Sequence, residues 1–506
     1  MQKETITERT TKNAFYTFFS VLASRIGGLV LTIIVARILY PELFGVYSLV
    51  LSIILTIATF TDLGMNTTFI RYFAESIGKN KRKEARTRFF FFFKYKIFLI
   101  CIASFVLFVF SDMIAINIFK KPLMNLPLKI GSLYLLALSL NGFFSSVFVA
   151  LQKVKYNLVS EIIFQISRIT MVLLFLYLNK NVVNVFLALS VSFFLSSLFL
   201  FFVLSKKYNF LFRGKRSKIE KKEKKKLLNF FTWLTIGSIS LIFFAHIDIF
   251  MLGIFLPAEF TGYYHAIVSL VTSVAAFVAF GSLLLPVFTQ LEQGRAERGF
   301  EKVFRYVSFL AFPAAFGLAF VAVPAIKIIF GYTYVLESYK TAITIAAAIL
   351  SFLVIESAFS GIYSALFQAR ELPKIIAVIM IIATILNIFL NYFFIKIGIS
   401  FAPQYGLVGV AAATFISKYF NLITLGIMAR KKLKIKTNFP YKQLLASGVM
   451  LLFLFFFDYF FKLSIFKGIL MIFFAILVYF FTIYLMKEIK KEDFKLIKIF
   501  LSNMNY

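Results

Sequence analysis

Long blocks of apolar residues recur along the whole of this 506-residue chain, and they constrain its fold more than any other feature. A helix needs about 20 mostly apolar residues to cross a hydrocarbon core about 30 Å thick. Because lipid offers no hydrogen-bond partners, the backbone of such a span must satisfy its own polar groups, as an α-helix does. Hydrophobic residues make up 61% of the chain, against roughly 45–50% in an average soluble domain. The sequence therefore predicts an all-α polytopic membrane protein.

The apolar blocks predict about 14 transmembrane helices. The spacing of the blocks places these helices at residues 13–39, 44–74, 89–110, 128–151, 157–178, 183–205, 230–255, 261–290, 304–330, 339–369, 374–397, 406–429, 441–460 and 464–486. A transmembrane barrel would show short segments of alternating hydrophobicity instead. The N-terminal apolar run is too long for the hydrophobic region of a signal peptide, so we expect it to be an uncleaved first helix.

Lysine and arginine are unevenly distributed between the connections. A formal net charge of +33 raises nucleic acid as a partner in a soluble protein. Here the basic residues follow even-numbered predicted helices, as in residues 79–88, 206–226 and 430–436, whereas the other connections are poorer in cations apart from Lys120 and Lys121. Because cytoplasmic loops are rich in Lys and Arg, we expect both termini to be cytoplasmic.

The same distribution predicts the surroundings of the protein. We expect a multi-pass protein of the cell membrane, either plasma or inner, whose basic loops face the anionic inner leaflet and do not bind nucleic acid. Residues 487–500 mix lysine with apolar residues, so they are expected to form an amphipathic helix on the inner interface. Lys94 and Lys96 are expected to extend to that interface as well.

The chain repeats itself at an offset of 217 residues. Polar and small residues coincide at this offset, namely Glu42 with Glu259, Gly45 with Gly262, Tyr47 with Tyr264, Gly64 with Gly281, and Arg88 with Arg305. The repeat spans six helices, so both copies enter the membrane from the same side, which predicts a parallel repeat about an axis along the membrane normal. We therefore expect an N-lobe at 1–205, a basic cytoplasmic linker at 206–229, a C-lobe at 230–436, and helices 13 and 14 with the tail at 437–506.

Several motifs stand in order at the ends of these helices. They are Ala36–Ser48, Thr61–Met65 and Arg71–Glu75 in the first half, and Asp248–Gly253, Glu259–Tyr264, Leu386–Asn391 and Tyr405–Thr414 in the second. Over about the first 430 residues the chain resembles the polysaccharide biosynthesis and O-antigen flippases of the multidrug/oligosaccharidyl-lipid/polysaccharide (MOP) exporter superfamily. The resemblance implies a two-lobed flippase that moves a lipid-linked oligosaccharide of the polyprenyl-diphosphate type to the outer face by alternating access.

A second transporter class stays open beside this one. Ion-coupled multidrug exporters (MATE-like) of the same superfamily share the two lobes, and a cationic cavity would favour a diphosphate where an acidic one would favour cationic drugs. A membrane enzyme is not expected, because the chain has no Asp-x-Asp pair beside a large extramembrane loop. No nucleotide-binding motif is present. One cysteine and two histidines argue against a Cys/His metal site, and no cofactor is expected.

Ionisable and amide side chains within the predicted helices are the candidate functional residues, because a charge near mid-membrane costs roughly 2.5–3.5 kcal/mol to insert. The candidates for the substrate cavity are Arg25, Arg168, Asp62, Asn66 and Glu356. Asp248 and Glu356 are candidates for coupling to H⁺ or Na⁺. The secondary candidates are Arg71, Glu161, Asn387 and Asn391. Guanidinium groups bind phosphate in a planar fork, so Arg25 and Arg168 are expected to bind the diphosphate of the substrate.

Each candidate also has a structural alternative. Glu161 and Arg168 share one face of a helix and could form an ion pair. The amides of Asn387 and Asn391 could donate hydrogen bonds between helices, Arg71 could anchor the helix at the interface, and each carboxylate could only neutralise a nearby arginine. We expect the protein to function as a monomer.

Overall fold

The computed structural model describes residues 6–62, 64–214, 242–278, 293–435, 439–460 and 465–488. Within these ranges the chain is helical apart from short connections, and twelve helices are long and apolar enough to cross a membrane. The prediction of an all-α polytopic membrane protein is confirmed, whereas the count of fourteen spans stays a prediction. Most of the predicted basic linker, Gly281 and the tail beyond Glu488 lie outside the described residues.

We number the helices in chain order. The first half contains α1 (Ile6–Asp62), α2 (Met65–Gly78), α3 (Arg82–Asp112, continued by a π-helical turn at Met113–Ile118), α4 (Asn125–Ala150), α5 (Lys155–Leu178) and α6 (Val182–Lys207). The second half contains α7 (Ile242–Phe255), α8 (Ala258–Val278), α9 (Gln293–Ile329), α10 (Lys340–Ser351), α11 (Leu353–Ala369), α12 (Pro373–Phe401), α13 (Tyr405–Leu433), α14 (Tyr441–Phe460) and α15 (Ile465–Leu485).

Helix α1 covers the first predicted span and most of the second without an intervening loop. Tyr40 interrupts it with a φ of 59° and a ψ of 172°. Proline disfavours the α conformation of the residue before it, so Pro41 explains why the interruption falls at Tyr40. The helical stretch Lys12–Gly78 has 67 residues, which at 1.5 Å per residue is long enough for two crossings.

The second predicted span, 44–74, is broken where the sequence predicted one continuous helix. Gly64 stands between α1 and α2 in the left-handed conformation, with a φ of 75°, which glycine adopts without steric cost. The predicted span 339–369 is also divided, at Phe352, into α10 and α11. Discontinuous helices in transporters free backbone groups and commonly form binding sites.

The described residues form two compact units. The first contains the described parts of Met1–Ser269, Ile329–Leu336 and Thr384–Val410. One apolar cluster of this unit joins α2, α3, α4 and α6 through buried aromatic rings, including Phe69, Phe73, Phe89, Phe143 and Phe148. Because lipid is itself apolar, such helix association depends on close packing more than on the hydrophobic effect.

The second unit contains the described parts of Leu270–Ile328, Glu337–Ala383 and Ala411–Tyr506. In it α14 and α15 pack through small and apolar residues such as Ala446, Met450 and Ala475, and α9 covers this cluster with phenylalanine side chains. Glu488 follows α15 and pairs with Lys442 at 3.0 Å and with Arg305 at 3.5 Å. These ion pairs connect the end of α15 to the start of α14 and to α9.

Candidate functional site

Arg168 lies midway along α5, and part of its guanidinium group makes no hydrogen bond to a described residue. Its Nε and Nη2 atoms are buried and make no hydrogen bond to any described residue. The group stacks 4.9 Å from the centre of the Phe164 ring, and Tyr47 and Tyr134 are close enough to interact with it electrostatically. Glu161 accepts a hydrogen bond from Gln165 Nε2 and also acts electrostatically on Arg168, but the two charged groups make no direct ion pair among the described residues.

The turn of α1 at Gly27 and Gly28 faces this part of α5. A β-carbon on Gly27 would lie 2.0 Å from Gln165 Oε1, and one on Gly28 would lie 3.7 Å from Arg168 Nη2. The glycines therefore let the polar side chains of α5 approach the backbone of α1. Arg25 lies three residues before Gly28, on the adjacent turn, and its side chain is exposed. The structure thus brings the α1 segment that carries Arg25 against the α5 segment that carries Arg168.

Asp62 lies at the break between α1 and α2 and forms an ion pair that the sequence did not reveal. Lys96 Nζ donates to Asp62 Oδ1 at 3.2 Å and to the Thr61 carbonyl at 3.1 Å. The side chain of Lys96 is only 2% exposed, whereas that of Asp62 is 36% exposed. The prediction that Lys96 extends to the interface is therefore wrong, because the helix break offers it a carboxylate and a carbonyl released from the helix.

The same break positions Asn66. Its backbone N–H donates to Asp62 Oδ1 at 3.3 Å, so Asp62 also satisfies one N–H in the first turn of α2. The Asn66 side-chain oxygen is buried and accepts no hydrogen bond from the described residues. Arg71 lies farther along α2, exposed, with its guanidinium 5.7 Å from the centre of the Tyr72 ring.

Asp248 of α7 is the centre of a buried hydrogen-bond network in the first unit. Tyr264 of α8 donates its hydroxyl to Asp248 Oδ2 at 2.9 Å, and Asn391 of α12 donates Nδ2 to Asp248 Oδ1 at 2.9 Å. The Asn391 amide also donates to Asn387 Oδ1 at 3.1 Å. The side chain of Asp248 is thus held by neutral donors from two other helices, and no described cation pairs with it.

Glu356 lies in the first turn of α11 in the second unit and is 4% exposed. Its described hydrogen bond is local, from the Ser360 hydroxyl at 2.6 Å. Tyr419 of α13 donates to the Phe352 carbonyl at the helix break, at 3.0 Å. The alternative that each coupling candidate neutralises an arginine is wrong for the described residues, because neither Glu356 nor Asp248 lies in an ion pair with one of them.

Sequence reasoning missed the partners that complete these groups. Lys96 stood in a lysine-containing apolar run typical of an interface, and Tyr264 was noted only as a member of the repeat. The one available signal was that Asp248 and Tyr264 both fall in motifs of the second half. Within the described ranges, no group of three or more His, Cys, Asp or Glu residues could hold a metal ion.

The sequence profile of one protein family matches the chain. The family is described as "Polysaccharide biosynthesis protein", and the match covers residues 10–292, which is more than half of the chain. The matched region includes Arg25, Asp62, Arg168 and Asp248.

Two curated archaeal proteins are similar in sequence. An uncharacterized membrane protein of Methanocaldococcus jannaschii, MJ1068, is 25% identical over 408 residues, which cover 76% of this chain and 77% of that protein. The probable low-salt glycan biosynthesis flippase Agl15 of Haloferax volcanii is 25% identical over 207 residues, which cover 40% of this chain and 41% of that protein.

Two solved structures share the fold. The lipid II flippase MurJ in an inward closed conformation superposes with a TM-score of 0.72 at 18% identity, covering 94% of this chain and 99% of that one. An inward-facing multidrug resistance MATE family transporter of the MOP superfamily superposes with a TM-score of 0.61 at 16% identity, covering 81% and 95%. At these identities the likeness concerns the fold alone. The family match, which covers more than half of the chain, shows that the chain belongs to the polysaccharide biosynthesis protein family.

Proposed function

We propose that the protein translocates a lipid-linked oligosaccharide of the polyprenyl-diphosphate type from the cytoplasmic to the outer face of the cell membrane, for polysaccharide or glycan export. The observation that carries this substrate class is the guanidinium of Arg168 in a membrane helix, of which two nitrogen atoms are buried and make no hydrogen bond to a described residue. A cation in this position is costly without a counter-charge. A diphosphate would supply one, and its oxygens match the planar fork of donors.

Other polar side chains are proposed to bind the remainder of the diphosphate and the sugar of such a headgroup. Arg25 is proposed as a second cation for the diphosphate, because its turn of α1 adjoins the turn that contacts Arg168. Asp62 and Asn66 are proposed to accept hydrogen bonds from sugar hydroxyls, since the Asn66 oxygen is unused among the described residues and Asp62 is partly exposed. Glu161, which accepts a hydrogen bond from Gln165, and Arg71 of α2 are proposed as secondary contacts for the same headgroup.

Alternating access by two lobes, 1–205 and 230–436, is the mechanism we propose for translocation. The repeat at an offset of 217 residues supports it, because two copies of one six-helix unit can rock about the axis that relates them. We further propose cytoplasmic termini, a site of action in the cell membrane and function as a monomer. The uneven distribution of lysine and arginine supports this orientation.

Coupling to an ion gradient is proposed to use Asp248, with Glu356 as the second candidate. Both carboxylates are buried in membrane helices and neither pairs with a described cation. Loading by H⁺ or Na⁺ would cancel the charge and thereby remove its desolvation cost. Because the Asp248 network joins α7, α8 and α12, a change in its charge can favour one helix arrangement over another, which a population shift requires.

The MATE-like alternative remains the second candidate function, because the fold is shared with both transporter types. The specific observation in its favour is the pair of uncompensated carboxylates, which could bind a cationic drug. Arg168 argues for an anionic substrate, since a cationic drug would leave its unused donors without an acceptor. The two functions therefore differ in which of these residues the substrate requires.

The test in cells begins with deletion of the gene and identification of the lipid-linked glycan that accumulates on the cytoplasmic face. Complementation with wild type should clear it, Arg168→Ala should not, and Arg168→Lys should clear it in part, because lysine lacks the planar fork. Ser167→Ala on the same turn is the control and should behave like wild type. Accumulation of no lipid-linked glycan, or full complementation by Arg168→Ala at normal protein levels, would contradict the proposal.

A further inference from the structure

A cavity of about 420 Å³ lies in the first unit, and none of the candidate site residues described above lines it. It lies between the start of the second predicted span, the connection from α3 to α4 and the connection from α7 to α8. This volume is within the range of small-molecule sites, about 300–1,000 Å³. Most of its lining is apolar, including Val46, Phe119, Phe255 and Leu256, and its charged members are Glu42, Lys120 and Lys121.

The two lysines stand where the charge pattern predicts few cations. They are adjacent cations in one of the connections assigned to the outer side, which are otherwise poor in Lys and Arg, and the membrane orientation gives no reason for such a pair. Lys120 is exposed, with a φ of 53°, and its ammonium group makes no hydrogen bond or ion pair to a described residue. Glu42 is also exposed on the cavity and unpaired among the described residues.

Lys121, unlike Lys120, donates hydrogen bonds to backbone carbonyl groups. Its Nζ donates to the Gly253 carbonyl and, at 3.2 Å, to the Phe119 carbonyl. An ammonium group has three N–H donors, so one remains for a ligand. The connection between α9 and α10 provides a contrast, because there Glu337 pairs with Lys340 at 3.1 Å and with Lys327 at 3.7 Å. Among the described residues, Lys120 and Lys121 have no such carboxylate partner.

We propose that this cavity is an outer binding site for a phosphate ester that carries an apolar chain on one side and a hydroxyl-bearing group on the other. Lys120 and the remaining N–H of Lys121 would bind the phosphate, Glu42 would accept a hydrogen bond from a hydroxyl, and the apolar lining would cover the start of the chain. Resting on the proposed function, we assign the occupant as the lipid-linked saccharide after translocation. A phospholipid such as phosphatidylglycerol has the same chemistry and is the other source.

Binding is measured with the purified full-length protein in detergent by native mass spectrometry, in an Arg168→Ala background that removes the inner phosphate site. The probes are a monosaccharide linked through diphosphate to a short prenyl chain and, separately, a short-chain phosphatidylglycerol. Lys120→Gln should weaken binding of the prenyl-linked probe by about fivefold, the effect of one charge contact near a surface. Lys180→Gln changes an exposed lysine on another connection assigned to the outer side and should have no effect.

The outcomes separate the possibilities. Loss of affinity for the prenyl-linked probe in Lys120→Gln and Glu42→Gln, but not in Lys180→Gln, supports the outer saccharide site even if transport proves to have another substrate. The same losses only with phosphatidylglycerol overturn the saccharide as occupant and assign a phospholipid. Equal binding by Lys120→Gln and Lys180→Gln overturns the site, and this result leaves the proposed function of Arg168 untouched.

Discussion

Gly45 and Gly262, 217 positions apart, make reciprocal contacts with each other's helix. A β-carbon on Gly45 would lie 1.8 Å from the Ala258 carbonyl oxygen, and one on Gly262 would lie 2.1 Å from the Pro41 carbonyl oxygen. Pro41 and Ala258 are themselves 217 positions apart. Gly45 therefore contacts the counterpart of Pro41, and Gly262, the counterpart of Gly45, contacts Pro41 itself. An isologous contact about a two-fold axis requires such reciprocity. This arrangement supports the proposal that the chain contains a parallel repeat.

The reciprocal contact predicts that substitution of either glycine by alanine lowers the stability of the protein to a similar extent. Gly45→Ala and Gly262→Ala should each lower the thermal stability of the purified protein, because the backbone atoms opposite cannot move aside as a flexible side chain could. The cost of such overpacking is about 1–3 kcal/mol. Gly448→Ala, inside α14 with nothing within 4 Å of the added carbon, is the control and should be neutral or stabilising. Melting curves in which Gly45→Ala matches Gly448→Ala would contradict the contact.

The pairing of Asp62 with Lys96 predicts a non-additive effect on stability. Asp62→Asn should destabilise the protein by about 1–3 kcal/mol, less than a fully buried pair would cost, because Asp62 is partly exposed. Lys96→Met in the same chain should recover much of that loss, since it removes the buried charge left without a partner. A double-mutant cycle by thermal unfolding measures this coupling. Additive effects of the two substitutions would show that the ion pair does not stabilise the break.

The sequence was sufficient for the helices, because a span of apolar residues can cross lipid in few ways. It was also sufficient to select Asp248 and Arg168, since charges are rare and costly there. The breaks at Gly64 and Phe352 were harder to predict. Gly64 offered a possible bend, but whether a glycine bends a helix depends on partners such as Lys96 that satisfy the released carbonyls.

Contacts between residues that are far apart in the chain could not be predicted from the sequence. Asn391 reaches Asp248 across 143 positions, and hydropathy gives no information on which helices are neighbours. The same limit applies to Lys121, whose bond to the Gly253 carbonyl depends on how two connections meet. Arg25 shows the converse. Its charge marked it in the sequence as strongly as that of Arg168, yet of these two arginines only Arg168 has buried nitrogen atoms that make no hydrogen bond to a described residue.

The Asp248 network predicts gradient-dependent transport. Imposed H⁺ or Na⁺ gradients across proteoliposomes should accelerate translocation by wild type, whereas Asp248→Asn should transport at one rate in every gradient, because an amide cannot be charged or loaded. Tyr264→Phe should keep the response but shift its ion dependence, since one hydrogen bond to the carboxylate is lost. Glu356→Gln tests the second candidate in the same assay. A wild-type rate that no gradient changes would exclude coupling.

The cavity lined by Glu42, Lys120 and Lys121 predicts pH-dependent binding of a phosphate ester. Burial lowers the pKa of Lys121 to about 8, and Lys120 and Glu42 are the other charged groups lining the cavity. A bound phosphate favours the charged form of Lys121 and raises its pKa. The affinity for the phosphate probe should therefore be highest below about pH 8 and fall above it. The fall should be about fivefold, the effect of about 1 kcal/mol for one charge contact. In the Arg168→Ala background, Lys121→Gln should bind weakly without this dependence, and an equally steep fall in that variant would exclude Lys121 as its origin.

The most direct test of the proposed function is translocation by the purified protein in liposomes. A fluorescent oligosaccharide linked through diphosphate to a short prenyl chain is placed in both leaflets, and an impermeant quencher reports how fast the inner pool reaches the outside. Wild type and Ser167→Ala should move the probe well above the rate of protein-free liposomes, and Arg168→Ala should return it to that rate. A wild-type rate equal to that of protein-free liposomes, together with export of a cationic dye that depends on Asp248, would contradict the account and favour the drug exporter.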